Sequence, residues 1–188
     1  MDAFLLSFGV IFVAELGDKS QLMALAFATR FPALSVLVAI TLATALVHLG
    51  SVALGATVAL ALPTNVVSIV AGLAFLGFAA WTLRGDVLGE ADEARASRES
   101  AGSVVLTVAV AFFLAELGDK TMLATITLAT KEGLVGTWLG STLGMVAADA
   151  LAIIVGHALG ARLPERAIKV AAAVAFFVFA AILLAEAM

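Results

Sequence analysis

Long apolar segments separated by short polar breaks run along the whole chain and predict membrane-spanning helices. At about 1.5 Å per helical residue, each segment can cross a hydrocarbon core of about 30 Å. The segments lack the two-residue alternation of barrel strands, the other structure that can span a bilayer. We therefore predict an all-α membrane protein with six transmembrane helices. Their approximate bounds are 3–29, 33–62, 66–83, 103–130, 134–163 and 167–187.

The six segments form two copies of one pattern. Shifting the chain by 101 residues aligns its halves without a gap, and 23 of the 87 aligned pairs are identical. Three helices per copy is an odd number, so the second copy enters the membrane from the opposite face, as in the inverted repeats of many secondary transporters. We expect a first three-helix repeat at 1–83, a polar linker at 84–102 and a second three-helix repeat at 103–188.

Composition agrees with a chain that lies within a bilayer. Of its 188 residues, 63% are hydrophobic and 13% charged, and the mean hydropathy is +1.17, unlike the values of soluble domains. Cysteine is absent, which excludes disulfides, iron–sulfur clusters and thiolate metal sites. We expect the protein to lie in the lipid bilayer and to have no nucleic-acid partner. The sequence leaves open whether one chain or a homodimer is the working unit.

Basic residues are distributed unequally between the two faces of this arrangement. Seven of the ten Lys and Arg residues fall on the face that carries the linker, and two of the other three lie inside predicted helices. Because basic residues concentrate on the cytoplasmic side of membrane proteins, the linker is predicted to be cytoplasmic. Both termini are then predicted to lie outside.

Two nearly identical charged strings interrupt the first and fourth predicted helices. They read AELGDKSQL (14–22) and AELGDKTML (115–123). One charge at a helix centre costs roughly 2.5 to 3.5 kcal/mol on insertion scales, so these side chains are expected to face the bundle interior. In a continuous helix, Glu15 and Asp18 would share one face. The glycine between them permits local unwinding, which would expose backbone carbonyls as cation ligands.

The acidic residues of the two strings suit a divalent cation. Four carboxylates against two ammonium groups leave a formal charge of −2, which one divalent ion would neutralise. Carboxylate and hydroxyl oxygens are hard ligands of the kind used for magnesium, calcium and manganese. The predicted metal ligands are Glu15, Asp18, Glu116 and Asp119, and the supporting side chains are Lys19, Ser20, Lys120 and Thr121.

A structural role for the same charges is the alternative. Lys19 and Lys120 would then neutralise carboxylates of the opposite half, in an ion-pair network that locks the two repeats together. Apolar packing can often replace a buried ion-pair network at no loss of stability, so a duplicated network at the midplane favours function. The lysines can also serve both roles, as internal counter-ions when no cation is bound.

Another pair of ionisable residues lies outside the strings. The same 101-residue shift aligns His48 of the second predicted helix with Asp149 of the fifth, each alone among apolar residues. Ionisable groups inside a membrane are functional candidates, and the charge of His changes near neutral pH. We predict that Asp149 tunes the site or relays protons. For His48, proton coupling and a hydrogen-bonded structural role are equally open.

The duplicated pattern E-x-G-D-K-[ST] resembles the signature of a widespread transmembrane family of cation/proton exchangers, which includes Golgi and chloroplast manganese or calcium transporters and bacterial manganese exporters. The matching residues are 15–20 and 116–121, and the resemblance covers the chain. It implies six helices in two inverted halves, the motif acids as metal ligands, and exchange of Mn²⁺ or Ca²⁺ for protons. The long N-terminal targeting region of organellar members is lacking and the linker is short. Both features favour a bacterial-type plasma (inner) membrane and, in that setting, manganese export.

We therefore expect a secondary transporter that exports Mn²⁺, or Ca²⁺, from the cytoplasm in exchange for protons, with the metal as substrate and no cofactor. A six-helix exporter of another cargo, such as an amino acid, and a non-transporting membrane scaffold are the alternatives. An enzyme is not expected, because the sequence has no HExxH motif, no second metal-binding His on one helix and no plausible Ser/His pair.

Overall fold

The computed structural model describes residues 3–84, 103–159 and 165–188. These residues form eight helices and no strand, which confirms the all-α prediction for this part of the chain. The predicted linker falls outside the described residues, apart from Arg84 at the end of a helix. The helices are α1 (Ala3–Glu15), α2 (Lys19–Ala28), α3 (Ala33–Ala61), α4 (Thr64–Arg84), α5 (Val104–Glu116), α6 (Lys120–Ala129), α7 (Leu134–Leu159) and α8 (Glu165–Glu186).

Several helices have the length and apolar character of membrane spans. Among the described residues, three are long and apolar enough to cross a bilayer: α3, α4 and the Leu134–Gly156 part of α7. Shorter apolar helices are α1, α5 and the Phe176–Ala185 part of α8. Many large apolar side chains, such as Leu34 and Leu60, are exposed on the outer surface. An apolar surface of this kind is expected where lipid chains, rather than water, surround the protein.

Each charged string interrupts its predicted helix, at the glycine where the sequence allowed local unwinding. Helices α1 and α5 end at the glutamate of their string, and α2 and α6 begin at its lysine. Between them lie Gly17 and Gly118 with φ of 76° and 80°, a left-handed conformation that glycine adopts without steric cost. The glutamate and aspartate therefore do not share one helical face. The glutamate ends one helix, and the aspartate immediately precedes the next.

Some contacts join positions that are equivalent under the 101-residue shift. The Thr44 hydroxyl lies 3.3 Å from the sulfur of its equivalent, Met145, between α3 and α7. The rings of Phe75 and its equivalent, Phe176, have centroids 5.7 Å apart between α4 and α8. Contacts between equivalent residues are expected where an approximate two-fold axis passes between two halves.

The helices of the two halves are interleaved. Helix α1 packs mainly on α7 of the second half, and α5 packs on α3 of the first. The α1–α7 contact is close, because a Cβ added at Gly140 would overlap the Phe4 carbonyl oxygen, and one at Gly144 would lie 2.6 Å from that of Phe8. Small residues let helix backbones approach in this way. Glu15, at the end of α1, is therefore held against the other half.

Candidate cation site

The two charged turns meet in the interior of the bundle through crossed ion pairs. Lys120 of the second string pairs with Asp18 of the first, and the Lys19 ammonium nitrogen lies 3.2 Å from a carboxylate oxygen of Asp119. Both aspartates are buried. This is the pairing that the structural alternative describes, in which each lysine neutralises a carboxylate of the opposite half. It also brings side chains that are about a hundred residues apart into one cluster.

Each aspartate occupies the N-cap position of a helix, with φ and ψ of −80° and 166° at Asp18 and −74° and 166° at Asp119. An N-cap aspartate usually accepts a hydrogen bond from an amide of its own helix. Neither carboxylate does so here, and both pair with lysines of the other half. The positive ends of the α2 and α6 dipoles nevertheless lie at the cluster, where they favour negative charge.

The two glutamates are almost completely buried, although most of their carboxylate oxygens have no hydrogen-bond partner among the described residues. Glu15 is 0% and Glu116 1% exposed. The Thr121 hydroxyl donates a hydrogen bond of 3.0 Å to Glu116 Oε2. Both oxygens of Glu15, and Oε1 of Glu116, have no hydrogen-bond partner among the described residues. Burying an ionised carboxylate without a partner costs several kcal/mol, so these oxygens call for a cation or a proton.

The two predicted hydroxyl groups contact different acids. The Ser20 hydroxyl lies 3.4 Å from Oδ2 of Asp18, whereas Thr121 contacts a glutamate oxygen. Both hydroxyls are fully buried. Each hydroxyl therefore lies beside a carboxylate of its own string, an aspartate in the first string and a glutamate in the second.

Asp149 is a further buried acid of the bundle interior. It is fully buried in α7, and neither of its oxygens has a hydrogen-bond partner within the described residues. Electrostatic interactions link it to Asp18, Glu15 and Glu116. A helix that carries no motif thus contributes a fifth buried carboxylate, next to the Ala148 carbonyl that accepts a hydrogen bond from Gln21.

His48 is equally buried in α3. Neither of its ring nitrogens has a hydrogen-bond partner in the part of the chain that the structure describes. Its structural and proton-coupling roles therefore both stay predictions.

Gln21 is a polar contact of the first turn that the motif pattern did not predict. It is 3% exposed, and its Oε1 accepts a hydrogen bond of 2.7 Å from the backbone amide of Gly17. The equivalent position in the second half is Met122, whose sulfur accepts a 3.1 Å hydrogen bond from the amide of Gly118. An amide side chain inside an apolar helix was the signal that could have identified it.

The acids do not form a ready-made metal cage. Within residues 3–84, 103–159 and 165–188, no three acidic or histidine side chains are grouped closely enough to hold one ion. The ammonium groups of Lys19 and Lys120 stand at the aspartates instead.

Comparison of its sequence with known proteins places this chain in a family. A sequence model described as "Divalent cation/proton antiporter GDT1" matches residues 3–90 and 104–188. The "Putative manganese exporter" of Vibrio cholerae is 33% identical over 183 residues, which cover 96% of this chain and 89% of that protein. GDT1-like protein sll0615 of Synechocystis is 30% identical over 200 residues, covering 97% and 96% of the two chains. No solved structure matches.

A plant relative extends the similarity to organelles. Protein PAM71 of Arabidopsis thaliana, a chloroplast protein, is 31% identical over 209 residues, covering 97% of this chain and 56% of its own length. The family match spans nearly all of the chain, and the family consists of transporters rather than enzymes. Together with the apolar helices, it makes the protein an integral, multi-pass membrane protein. The chain therefore belongs to the GDT1 family of divalent cation/proton antiporters.

Proposed function

We propose that the protein exports Mn²⁺ from the cytoplasm in exchange for protons, through the cluster that its two charged turns form. The observation that carries the proposal is the crossed pairing of the turns together with the buried carboxylate oxygens that have no partner among the described residues. Four carboxylates face two lysines there. Excess negative charge away from water needs a cation or protons to balance it.

The proposed topology has six membrane crossings in two inverted three-helix halves. In it, α1 with α2 forms one broken crossing and α5 with α6 another. Each break would lie near the bilayer midplane, where transporters built from inverted repeats bind their substrates. The contact between the equivalent residues Thr44 and Met145 supports the two-fold relation.

The proposed location is a bacterial-type plasma (inner) membrane, with the linker in the cytoplasm and both termini outside. The excess of Lys and Arg around the linker supports this orientation. The Vibrio cholerae relative, which is 33% identical, supports the bacterial setting.

In the proposed bound state, Mn²⁺ takes the place of the two lysine ammonium groups at the aspartates. The glutamate oxygens without partners, the two buried hydroxyls and the carbonyls at the ends of α1 and α5 would complete a hard oxygen set. The proposed ligands are Glu15, Asp18, Glu116 and Asp119, with Ser20 and Thr121 beside them and Lys19 and Lys120 as counter-ions that are displaced.

Proton exchange follows from competition for the same carboxylates. Metal ligands must be ionised, so protons that enter from outside would neutralise the acids and release the metal. Asp149, through its interactions with Glu15 and Glu116, would tune the site or relay protons, and His48 is the second candidate for that transfer. Because each occupant excludes the other, the fluxes of metal and protons are coupled.

The site would become accessible from one side of the membrane and then from the other through the movement of helix groups that each contain helices of both halves. Helix α1 packs on α7 and α5 packs on α3, so each motif is held by a helix of the opposite half. A rigid rocking of one half against the other would break both contacts. Movement of α1 with α7, relative to α3 with α5, would preserve them and would instead change the contacts between α3 and α7, such as that of Thr44 with Met145.

Manganese is proposed over calcium because the bacterial relative carries the name of a manganese exporter. The oxygen ligands alone suit either ion. Uptake into vesicles with Mn²⁺, Ca²⁺ and Mg²⁺ in competition would measure the preference.

Exchange of Mn²⁺ by reconstituted protein in liposomes, driven by an imposed pH gradient, tests the proposal. Glu116→Gln and Asp18→Asn should each slow exchange by about tenfold or more, since each removes a proposed ligand. Glu132→Gln is a matched control, because Glu132 lies outside the cluster in the turn between α6 and α7. If both site variants exchange Mn²⁺ as fast as the unmodified protein, the proposal is wrong.

The crossed ion pairs would also fit a network that only locks the two halves together. Calorimetry separates the two roles. A site that transports Mn²⁺ binds it in the unmodified protein and loses that binding in Asp18→Asn, whereas a purely structural network binds no Mn²⁺ at any pH.

A further inference from the structure

Gln21 joins the first charged turn to a helix of the other half. Its Oε1 accepts a hydrogen bond of 2.7 Å from the Gly17 amide, and its Nε2 donates one of 2.8 Å to the Ala148 carbonyl oxygen in α7. The side chain is 3% exposed. A buried amide with both ends hydrogen-bonded fixes the separation of the two backbone segments that it joins.

The residue that follows Ala148 is the fifth buried carboxylate. Asp149 is fully buried without a partner among the described residues, and it interacts electrostatically with Glu15 and Glu116. The bond from Gln21 to Ala148 therefore fixes the backbone beside Asp149 relative to the turn that follows Glu15.

The second half lacks this connection. Met122, at the position equivalent to Gln21, accepts a hydrogen bond of 3.1 Å from the Gly118 amide, so it reproduces the local contact. A thioether has no hydrogen to donate, so it cannot bond to a carbonyl of α3. The residue of α3 that is equivalent to Asp149 is His48, not a carboxylate. The amide and the additional acid thus belong to the same one of the two equivalent contacts between a motif turn and a helix of the opposite half.

We propose that Gln21 is a positioning residue of the transport site, which holds Asp149 at a fixed distance from the first motif turn so that Asp149 acts as a fifth carboxylate for the bound cation. This inference rests on the proposed function. Gln21 does not touch the ion. It acts through the backbone of α7, and its loss should weaken cation binding more than it slows the movement of the helices.

Gln21→Met tests the inference, because it copies the side chain that the second half already accommodates beside its own motif glycine. The variant keeps an acceptor for the Gly17 amide and loses only the donor to Ala148. In proteoliposomes the apparent KM for Mn²⁺ should rise about tenfold, as expected for loss of one buried hydrogen bond. The maximal rate should change much less. Mn²⁺ binding measured by calorimetry should show the same loss without any transport step.

A comparison of the single variants with the double variant tests whether Gln21 acts on cation binding through Asp149. Asp149→Asn should also raise the KM, and Gln21→Met combined with Asp149→Asn should raise it no further, because both changes remove the same contribution. The control is Trp138→Phe, which removes a different bond from a side chain to a backbone carbonyl, between Trp138 Nε1 and Ala45 at 2.9 Å. This bond also joins α7 to the first half, and its loss should leave the KM unchanged.

Three results would overturn the inference. They are an unchanged KM in Gln21→Met, independent and multiplying effects of Gln21→Met and Asp149→Asn, or an equal rise in Trp138→Phe. Each can occur while Glu116→Gln is inactive, so the inference can fail while the proposed function holds. If the unmodified protein exchanges no Mn²⁺, both fail together.

Discussion

Lys120 and Asp18 come from different halves of the chain and form an ion pair in which the lysine side chain is 3% exposed and the aspartate 0%. Either partner alone would be a charge buried away from water, so the two depend on each other. The pair links the halves and at the same time covers a carboxylate of the proposed site. Its structural and functional contributions can therefore be separated by substitution.

Lys120→Gln should lower the free energy of unfolding by about 3 to 5 kcal/mol, because it leaves Asp18 without its cation. Adding Asp18→Asn should restore much of that stability, since no uncompensated charge remains. Thermal unfolding in lipid nanodiscs measures both changes. The double variant should still fail to exchange Mn²⁺. Full transport by the double variant would show that Asp18 is not a ligand.

Lys19→Gln should destabilise the protein less than Lys120→Gln. The Lys19 side chain is 21% exposed, against 3% for Lys120, and water compensates part of the charge that a partly exposed pair leaves behind. A loss on the order of 1 to 2 kcal/mol is expected, between the values for surface and buried pairs. The same nanodisc experiment compares the two variants. An equal or larger loss for Lys19→Gln would contradict the difference in burial.

Gly118→Ala should destabilise the second turn through backbone conformation alone. A Cβ there would meet no atom within 4 Å, and φ is +80°, a region that costs an ordinary residue about 1 to 2 kcal/mol. The strain should also displace Asp119 and slow Mn²⁺ exchange. Thermal unfolding and exchange rates of the variant measure the two effects.

Gly50→Ala is the matched control for that substitution. A Cβ at Gly50 is equally free of contacts, but Gly50 lies inside α3, where alanine is favoured over glycine by about 1 kcal/mol. The control should be at least as stable as the unmodified protein. If Gly118→Ala and Gly50→Ala have the same stability and the same exchange rate, neither property depends on the left-handed conformation at Gly118.

Hydropathy predicted the helices without charged strings to within a few residues. The second predicted span, 33–62, corresponds to α3 at Ala33–Ala61, because a long apolar run has few ways to satisfy its backbone other than a helix. Local unwinding was allowed for at Gly17 and Gly118, but the end of one helix and the start of another there was not predicted. A hydropathy window of about 19 residues averages over one glycine, so it does not register a helix break at that residue.

The ion pairs of the candidate site could be predicted from the sequence, whereas its hydrogen bonds to backbone groups could not. Opposite charges inside a membrane must find each other, so the strings already suggested the pairing of Lys19 and Lys120 with the opposite half as one of two alternatives. The bond from Gln21 goes to a backbone carbonyl 127 residues away. A carbonyl carries no sequence signal, so only the packing of α2 on α7 could reveal that partner.

Calorimetry of Mn²⁺ binding in buffers of different ionisation enthalpy tests most directly whether metal and protons compete for the same carboxylates. The account predicts a net release of protons for each Mn²⁺ that the unmodified protein binds. Glu15→Gln combined with Glu116→Gln should bind Mn²⁺ more weakly and release fewer protons, whereas Glu132→Gln should match the unmodified protein. Binding without proton release at every pH tested, or equal release by the unmodified protein and the double variant, would contradict the account.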